Sequence, residues 1–507
     1  MNPKHSIPSL VAAAALLSAG LTQAAPSAKY VFFFLGDGMA NAQVQAAEAY
    51  LTVKNGGSAT LASDLLDPAN RLNMTKLPVQ GMQTTFDAGA LMTDSASSAT
   101  AFASGLKTKS GVIGMDETLT NSYKSVAQIA HERGRKVGVI TSVSLDHATP
   151  AAYYASVTSR GLMNQIATQL TASGYDFFGG GGFASPTGAA RGGDSENNIW
   201  DLLSANGYQV FNDRASILSL KTNRPGAKVV AINPTLDEAA AMPYAIDRPE
   251  ANLSLAEMTE VAIANLYEGP SQRGFFLMVE GGKIDWACHA NDAVAAIGDT
   301  LDFDAAVGKA LEFYRKHPMD TLIIVTGDHE TGGMTVGHAT TGYTAYYDRL
   351  FGQTNSFEHF AANQWKVHKE TYGEGYDRTP ANNLESNTAM LSLLDDTFGL
   401  EWASLNDYQK QKLEDAYDQS MSGENDNSSA ENKYLYGSYE PIIVTITHIL
   451  NEVASIGWTS YSHTGVPTPV YAQGGQASLF SGFYDNTDIA KRLTQAMGLR
   501  ESLPVAR

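Results

Sequence analysis

Cysteine is almost absent from this sequence, because Cys288 is the only one among 507 residues. A single cysteine cannot form an intramolecular disulfide, so packing or bound metal ions must stabilise the fold. A lone cysteine is more often a small buried residue than a catalytic thiol, and we expect Cys288 to be buried.

Positive charge is also scarce. The chain has 34 lysines and arginines against 53 aspartates and glutamates, which gives a formal net charge of -19. Nucleic acids and anionic membrane surfaces are bound through basic patches, so the composition argues against both as partners. An anionic substrate would need a local cluster of cations in such a chain.

Long hydrophobic runs are missing beyond the N-terminus. The apolar run Leu10–Leu21 follows Lys4 and is shorter than the ~20 residues that span a bilayer. Small residues in Thr22-Gln23-Ala24 then predict cleavage after Ala24. We therefore expect a signal peptide over residues 1–24 and a periplasmic or secreted protein without a membrane segment. A buried N-terminal helix is the alternative.

Four apolar runs predict buried parallel strands, with helical patterns between them. The runs are Tyr30–Leu35, Val137–Thr141, Phe275–Val279 and Thr321–Val325. Helices are predicted over residues 122–135, from about residue 162 to 170, and from a capping box at Ser254 to Gly269-Pro270. The alternation predicts an α/β sandwich with a large, mostly parallel central sheet flanked by helices.

This alternation weakens between about residues 336 and 440, where aromatic residues gather. We interpret this segment as an insertion, a crown or large loop, within a single catalytic domain of residues 25–507. The glycines at 179–182 and the polar residues 422–432 predict loops. A helix over 441–455 and a strand over 458–462 are predicted to follow.

Acidic residues and histidines follow each predicted strand. They are Asp37, Asp146-His147, Glu280 with Asp285 and His289, Asp328-His329, and His463. Ligands bind at the carboxyl ends of the strands in an open α/β sheet, and like charges collected there repel unless cations lie among them. A lone histidine would more often be structural. Five such strand ends predict metal binding, and histidine with carboxylate suits zinc.

A candidate nucleophile lies in the small-residue segment 93–101. The pattern predicts a helix that begins at Ser95 and ends near Gly105, and free N–H groups at its N-terminus favour an anion. A serine hydroxyl needs a base or a metal ion to become nucleophilic. The local sequence alone is explained more simply if Asp94 and Ser95 are helix caps, so both interpretations stay open here.

Six ordered blocks resemble bacterial alkaline phosphatases over nearly the whole mature chain. They are Gly36-Asp37-Gly38-Met39, Thr93-Asp94-Ser95-Ala96, Ala148-Thr149-Pro150 leading to Thr158-Ser159-Arg160, Val279-Glu280-Gly281-Gly282 with Asp285 and His289, Thr326-Gly327-Asp328-His329-Glu330, and Ser462-His463-Thr464-Gly465. Their order and spacing match that family, which implies hydrolysis of phosphate monoesters, with broad-specificity phosphate scavenging as the family expectation.

The resemblance also implies a role for each site residue. Two zinc ions and one magnesium ion are expected per subunit. The implied ligands are Asp285, His289 and His463 for the first zinc, Asp37, Asp328 and His329 for the second, and Asp37, Thr149 and Glu280 for magnesium. Ser95 is implied to accept the phosphoryl group, and Arg160 to grip two phosphate oxygens. A homodimer is expected, with the insertion near the two-fold axis or, alternatively, as a lid on its own subunit.

Two departures look like the marine, often cold-active branch of the family. His147 stands where some members have an aspartate, and Trp286 where those members have a lysine. We expect His147 to hydrogen-bond a water on the third metal, with Trp286 packed near it. A phosphodiesterase or sulfatase of the same superfamily and a non-enzymatic phosphate-binding protein are the remaining alternatives.

Overall fold

A ten-stranded sheet carries the fold in the computed structural model, which describes residues 27–507. The predicted signal peptide, residues 1–24, lies outside the described residues. The strands in chain order are β1 Tyr30–Gly36, β2 Val79–Gln83, β3 Lys136–Thr141, β4 Phe177–Gly180, β5 Tyr208–Phe211, β6 Lys228–Ile232, β7 Phe275–Gly281, β8 Thr321–Gly327, β9 Glu330–Thr331, β10 Thr335–Val336, β11 Ile456–Gly457, β12 His463–Thr464, β13 Thr468–Gly474 and β14 Gly482–Tyr484.

The large sheet has the order β14-β2-β13-β8-β1-β7-β3-β4-β6-β5. Within it only β13 runs antiparallel to its neighbours, β2 and β8. The pairs β9–β12 and β10–β11 form two small antiparallel sheets. The predicted mostly parallel central sheet is therefore confirmed.

Apolar side chains cover both faces of the central strands, which is why these segments lack a polar alternation. In β1, Phe32 and Phe34 belong to one buried cluster, whereas Phe33 belongs to the cluster on the opposite face. Each of the four predicted strands is present. Beyond its predicted C-terminal end, β1 extends by one residue and β7 and β8 by two residues each. These added residues bring the strands up to the polar groups that follow.

Helices cover the two faces of the sheet, as predicted. They are α1 Asn41–Lys54, α2 Ala62–Leu65, α3 Ser95–Ser104, α4 Val126–Glu132, α5 Ala148–Ala151, α6 Met163–Ala172, α7 Ile199–Ala205, α8 Arg214–Ser219, α9 Leu255–Leu266, α10 Lys283–His289, α11 Ala293–Lys316, α12 Phe357–Phe360, α13 Lys366–Tyr372, α14 Thr388–Phe398, α15 Asp407–Ser422, α16 Ser429–Tyr436, α17 Pro441–Ala454 and α18 Thr487–Ala496. In residues 27–507 we see no helix with the length and apolar character needed to cross a membrane.

Several local predictions were wrong. The glycine run at 179–182 begins inside the buried strand β4, because a Cβ at Gly180 would collide with the Thr141 carbonyl of β3 and one at Gly179 with the Phe177 and Met258 side chains. The loop predicted over 422–432 is present but shorter, over residues 423–428, because α15 continues to Ser422 and Ser428 caps α16 with Glu431 in a capping box. No strand covers 458–462, which lies between the two-residue strands β11 and β12.

Two helix boundaries also differ from prediction. The helix predicted over 122–135 is the shorter α4, because Ser125 caps it and accepts a hydrogen bond from the Gln128 backbone N–H. The helix capped by Ser254 ends at Leu266, before the predicted Gly269-Pro270.

The segment 336–440 is helical and packs on its own chain. Phe360, Trp365, Phe398 and Tyr417 are buried in the same apolar cluster as one face of the central sheet. These four aromatic residues therefore add a second layer to the core, whereas others in the segment are exposed: Tyr343, Phe351, Tyr372, Tyr408 and Tyr434.

Candidate metal centre and nucleophile

The register of the central strands places the acidic residues side by side at one edge of the sheet. Gly36 at the end of β1 pairs with Gly281 of β7 and with Gly327 of β8. Asp37 and Asp328 follow directly, and Glu280 is the residue before Gly281 in β7, where it pairs with Leu35 of β1. Side chains far apart in sequence thus meet at the carboxyl edge of the sheet.

His463 reaches the same edge by a different route. It lies in β12, just before β13, and β13 runs antiparallel to β8. The start of an antiparallel strand lies beside the end of its neighbour, so His463 arrives next to residues that follow β8. β12 also pairs His463 with Thr331.

Asp285, His289 and His463 form a first cluster. Asp285 and His289 lie one turn apart on α10, and His289 Nε2 is 3.4 Å from Asp285 Oδ2. His463 Nε2 is 3.5 Å from Asp285 Oδ1 and 3.0 Å from His289 Nε2. These atoms are close enough together to hold a metal ion, and so are those of Asp285, His463 and His329, so His329 borders both this cluster and the next.

Backbone carbonyls fix the orientation of both imidazole rings. The Nδ1 atom of His289 donates to the Tyr461 carbonyl at 2.7 Å, and that of His463 donates to the Thr93 carbonyl at 2.7 Å. In the neutral tautomer that such a hydrogen bond favours, Nε2 carries the lone pair with which histidine binds a metal ion.

Asp37, Asp328 and His329 form a second cluster that is fully buried. His329 Nε2 is 3.3 Å from Asp37 Oδ1 and 3.3 Å from Asp328 Oδ2. The His329 ring stacks on His463 with centroids 3.6 Å apart. The first and second clusters are therefore adjacent, as in a two-metal site.

A third group of possible ligands consists of Asp37, His147 and Glu280. Thr149 Oγ1 lies 3.3 Å from Asp37 Oδ2, which adds a hydroxyl oxygen. Glu280 Oε1 is buried and has no hydrogen-bond partner among residues 27–507. A buried, unpaired carboxylate oxygen beside other oxygen donors fits a hard cation such as magnesium.

The electrostatics of the carboxylates also fit bound cations. Burial, together with the neighbouring acids, raises the pKa values of Asp37 and Asp328 above their usual range. Burial likewise raises the pKa of Glu280. The ionised forms are costly without counter-charge, which bound divalent cations would supply.

Ser95 is the first residue of α3, and its hydroxyl faces the second cluster. Ser95 Oγ is 3.4 Å from Asp37 Oδ1 and 3.5 Å from His329 Nε2. Asp94 is the N-cap, since its side chain accepts the Ser97 backbone N–H at 3.0 Å. The capping interpretation is therefore correct for Asp94, while Ser95 lies where a nucleophile would need to be.

Arg160 links the serine loop to the third group. Its Nη1 is 3.0 Å from Asp94 Oδ2, and its Nη2 donates to His147 Nε2 at 3.1 Å. The ring proton of His147 is then on Nδ1, which is buried and without a partner in the described part of the chain. Trp286 packs edge-on against His147 with ring centroids 5.8 Å apart.

Three hydroxyl groups support the ligands and were not found by sequence reasoning. Ser98 donates to Asp328 at 2.8 Å, Thr331 to Asp285 at 2.5 Å, and Thr141 to Glu280 at 2.5 Å. Ser98 lies one helical turn after Ser95, a spacing that would have suggested a shared face. Nothing in the local sequence marks the other two.

Together, these features define a hydrolase class in which a serine at a helix N-terminus lies beside clustered metal ligands. The comparisons agree. The alkaline phosphatase family pattern matches residues 28–499. Alkaline phosphatase 4 of Bacillus subtilis is 29% identical over 475 residues, covering 91% of this chain and 87% of that protein.

Solved structures give the same result. A cold-active alkaline phosphatase from the psychrophile Shewanella sp. is 26% identical, with a TM-score of 0.70 over 92% of this chain and 99% of that one. A TAB5 alkaline phosphatase variant, with a histidine replaced by aspartate and Mg bound in its M3 site, is 25% identical. Its TM-score is 0.59 over 94% of this chain and 99% of that one. This chain belongs to the alkaline phosphatase family and is a phosphomonoesterase, which sets aside the non-enzymatic alternative.

We expect Glu280→Gln to change how the stability of the metal-free protein depends on pH. Because the pKa of Glu280 is raised on folding, ionisation of this residue destabilises the folded state as pH rises above about 4. The difference in unfolding free energy, variant minus wild type, should therefore increase as pH rises. Over the full titration this difference increases by about 1.4 kcal/mol for each unit by which folding raises the pKa of Glu280.

Urea unfolding of both proteins in chelator, from pH 5 to pH 8, measures this difference. Zinc and magnesium should reverse it, because the wild type then gains more stability than the variant. A difference that is constant with pH would mean that Glu280 is not an unfavourable buried charge in the metal-free protein.

Proposed function

We propose that the protein hydrolyses phosphate monoesters through a covalent phosphoserine on Ser95. The observation that carries this proposal is the position of Ser95 Oγ at the N-terminus of α3, 3.4 Å from Asp37 and 3.5 Å from His329. The hydroxyl is thus next to the ligands of the second cluster and at a helix end that favours an anion.

We further propose two zinc ions and one magnesium ion per subunit. Asp285, His289 and His463 would hold one zinc, and Asp37, Asp328 and His329 the other. Asp37, Thr149 and Glu280 would hold magnesium, with His147 donating from Nδ1 to a water on that ion. When bound, the ions supply positive charge that favours the serine alkoxide and stabilises the departing alcohol oxygen.

The protein's own groups account for the remaining steps. Ser95 Oγ attacks phosphorus, its proton leaves, and the bond from phosphorus to the alcohol oxygen breaks. The alcohol departs with a proton taken from solvent, and water then cleaves the phosphoserine to regenerate Ser95 and release inorganic phosphate. Arg160 is oriented by Asp94 so that its guanidinium can hold two phosphate oxygens as a planar fork.

The complete donor set favours a monoesterase over a phosphodiesterase or sulfatase of the same superfamily. Those enzymes usually use a threonine or a modified cysteine in place of Ser95 and lack the Glu280–Thr149 pair. Hydrolysis rates for a phosphate monoester, a diester and a sulfate ester with the same leaving group discriminate among the three activities.

The physiological setting is also proposed. The signal peptide over residues 1–24 would direct the enzyme to the periplasm or outside the cell, where it would release phosphate from a broad range of monoesters. We propose a homodimer with the 336–440 insertion near the two-fold axis. Light scattering tests this, and a monomeric wild type would favour a lid on its own subunit.

We expect Ser95→Ala to lower turnover by at least about a thousandfold while the fold and the zinc content remain. Ser104→Ala is the matched control, because Ser104 lies at the other end of α3 and its hydroxyl has no hydrogen-bond partner in residues 27–507. Mass spectrometry of protein quenched at low pH with excess phosphate should find the adduct on the Ser95 peptide. A fully active Ser95→Ala variant would overturn the mechanism.

Arg160→Ala should weaken inhibition by inorganic phosphate by about tenfold or more, because the variant loses charge-assisted hydrogen bonds to phosphate. Zinc content should stay near that of the wild type, since Arg160 contacts Asp94 and His147 and none of the zinc ligands. Arg191→Ala, an exposed neighbour, is the control. An unchanged inhibition constant would remove Arg160 from the phosphate site.

His147→Asp should raise the affinity for magnesium, because a carboxylate adds negative charge and an oxygen donor to the third group. The pKa of His147 is lowered to about 3 by burial and by Arg160, so the histidine is neutral at working pH. Magnesium binding by calorimetry and magnesium activation, with both zinc sites filled, measure the change. Coincident curves for wild type and variant would show that His147 does not tune this site.

A further inference from the structure

A cavity of about 310 Å³ opens beside the metal centre. His289 forms part of its wall, and so does Trp286, whose ring also packs against His147. The cavity therefore adjoins both the first cluster and the third group. Its other walls are three aromatic rings and two carboxylates, from Tyr244, Phe357, Tyr439, Glu238 and Glu358.

The 336–440 insertion supplies much of this wall. Phe357 and Glu358 are the first residues of α12, and Tyr439 precedes α17. The rings of Phe357 and Tyr439 meet edge to face with centroids 5.8 Å apart, and Phe357 meets Tyr244 at the same distance. Three of the seven residues that line the cavity, Phe357, Glu358 and Tyr439, therefore come from the insertion.

A buried ammonium group already occupies the inner side of this wall. Lys283 is fully buried, and its Nζ lies 3.1 Å from Glu358 Oε2 and 3.7 Å from Asp237 Oδ2. The same Nζ is 3.7 Å from the ring centroid of Tyr244 and 5.0 Å from that of Trp286. Aromatic faces and carboxylates in this arrangement suit ammonium ions.

The charges of the cavity are not balanced by Lys283. Lys283 pairs with two carboxylates, those of Glu358 and Asp237, and Glu238 adds a third on the cavity wall, so negative charge is in excess. Glu358 Oε2 receives the bond from Lys283, whereas its buried Oε1 has no hydrogen-bond partner in residues 27–507. A buried acceptor without a donor is costly, so the Glu358 carboxylate, which borders the cavity, would be stabilised by a further cation there.

We propose that this cavity binds the alcohol portion of the substrate and favours phosphate monoesters of alcohols that carry an ammonium group. The proposal rests on the phosphomonoesterase function proposed above. The substrate phosphate lies at Ser95, and the ammonium group enters the cavity, pairs with the Glu358 carboxylate on its wall and contacts the rings of Phe357 and Tyr439. Monoesters with a second anionic group are disfavoured by Glu238 and Glu358.

Paired substrates test the proposal on the zinc- and magnesium-loaded enzyme at pH 8. Each ω-aminoalkyl phosphate with two to five carbons is compared with the n-alkyl phosphate in which a methyl group replaces the ammonium. The ratio of the two kcat/KM values removes the common chemistry. At the best chain length we expect a ratio of about ten or more in favour of the amine, the effect of one charge-assisted hydrogen bond.

Three variants locate the source of the ratio. Glu358→Gln removes the acceptor charge and should bring the ratio most of the way to one, and Glu238→Gln should lower it less because that side chain is exposed. Glu117→Gln is the matched control, since it removes the same charge from an exposed loop outside the cavity. It should leave the ratio at the wild-type value.

The outcomes separate this proposal from the one on which it rests. A ratio near one at every chain length, with n-alkyl phosphates still hydrolysed, overturns the ammonium preference and leaves the phosphomonoesterase function intact. A ratio that falls equally in all three variants shows attraction by the net charge of the protein and also overturns it. Failure to hydrolyse any of the monoesters overturns both proposals.

Discussion

Repulsion among buried carboxylates is the constraint on which this structure depends. Asp37, Asp328 and Glu280 are held together by the common ends of β1, β8 and β7, where burial raises the pKa of each. Without disulfides, the chain must hold these groups by packing alone until cations bind. Metal binding and the stability of the sheet edge are therefore linked through the same side chains.

The apolar sheet supplies the rigidity that this arrangement needs. Both faces of β1 are buried, so its register against β7 and β8 is fixed and the polar residues beyond the strands cannot slide relative to one another. Hydroxyl groups from Ser98 and Thr331 then orient individual carboxylates. Preorganisation of this kind lets the ligands bind ions without rearranging.

The 336–440 insertion forms part of the wall of the cavity beside the metal centre. Its helices share the core on one side of the sheet, which fixes Phe357 and Glu358 beside the metal ligands. Phosphate recognition would thus reside in core loops, whereas recognition of the alcohol would reside in the inserted helices. Such a division would allow the alcohol preference to change among relatives without disturbing the reaction chemistry.

The sequence by itself determined the central strands and the acidic residues and histidines that follow them, because apolar runs and the polar groups after them are local patterns. It also placed Ser95 at the start of α3. Only the tertiary structure decided that His463 arrives through an antiparallel strand, that Arg160 pairs with Asp94, and that Glu358 borders the cavity. These contacts join segments far apart in the chain, and no local pattern encodes them. The strand within residues 177–182 and the helices bordering 423–428 were missed for a related reason, since close backbone packing and capping overrode composition.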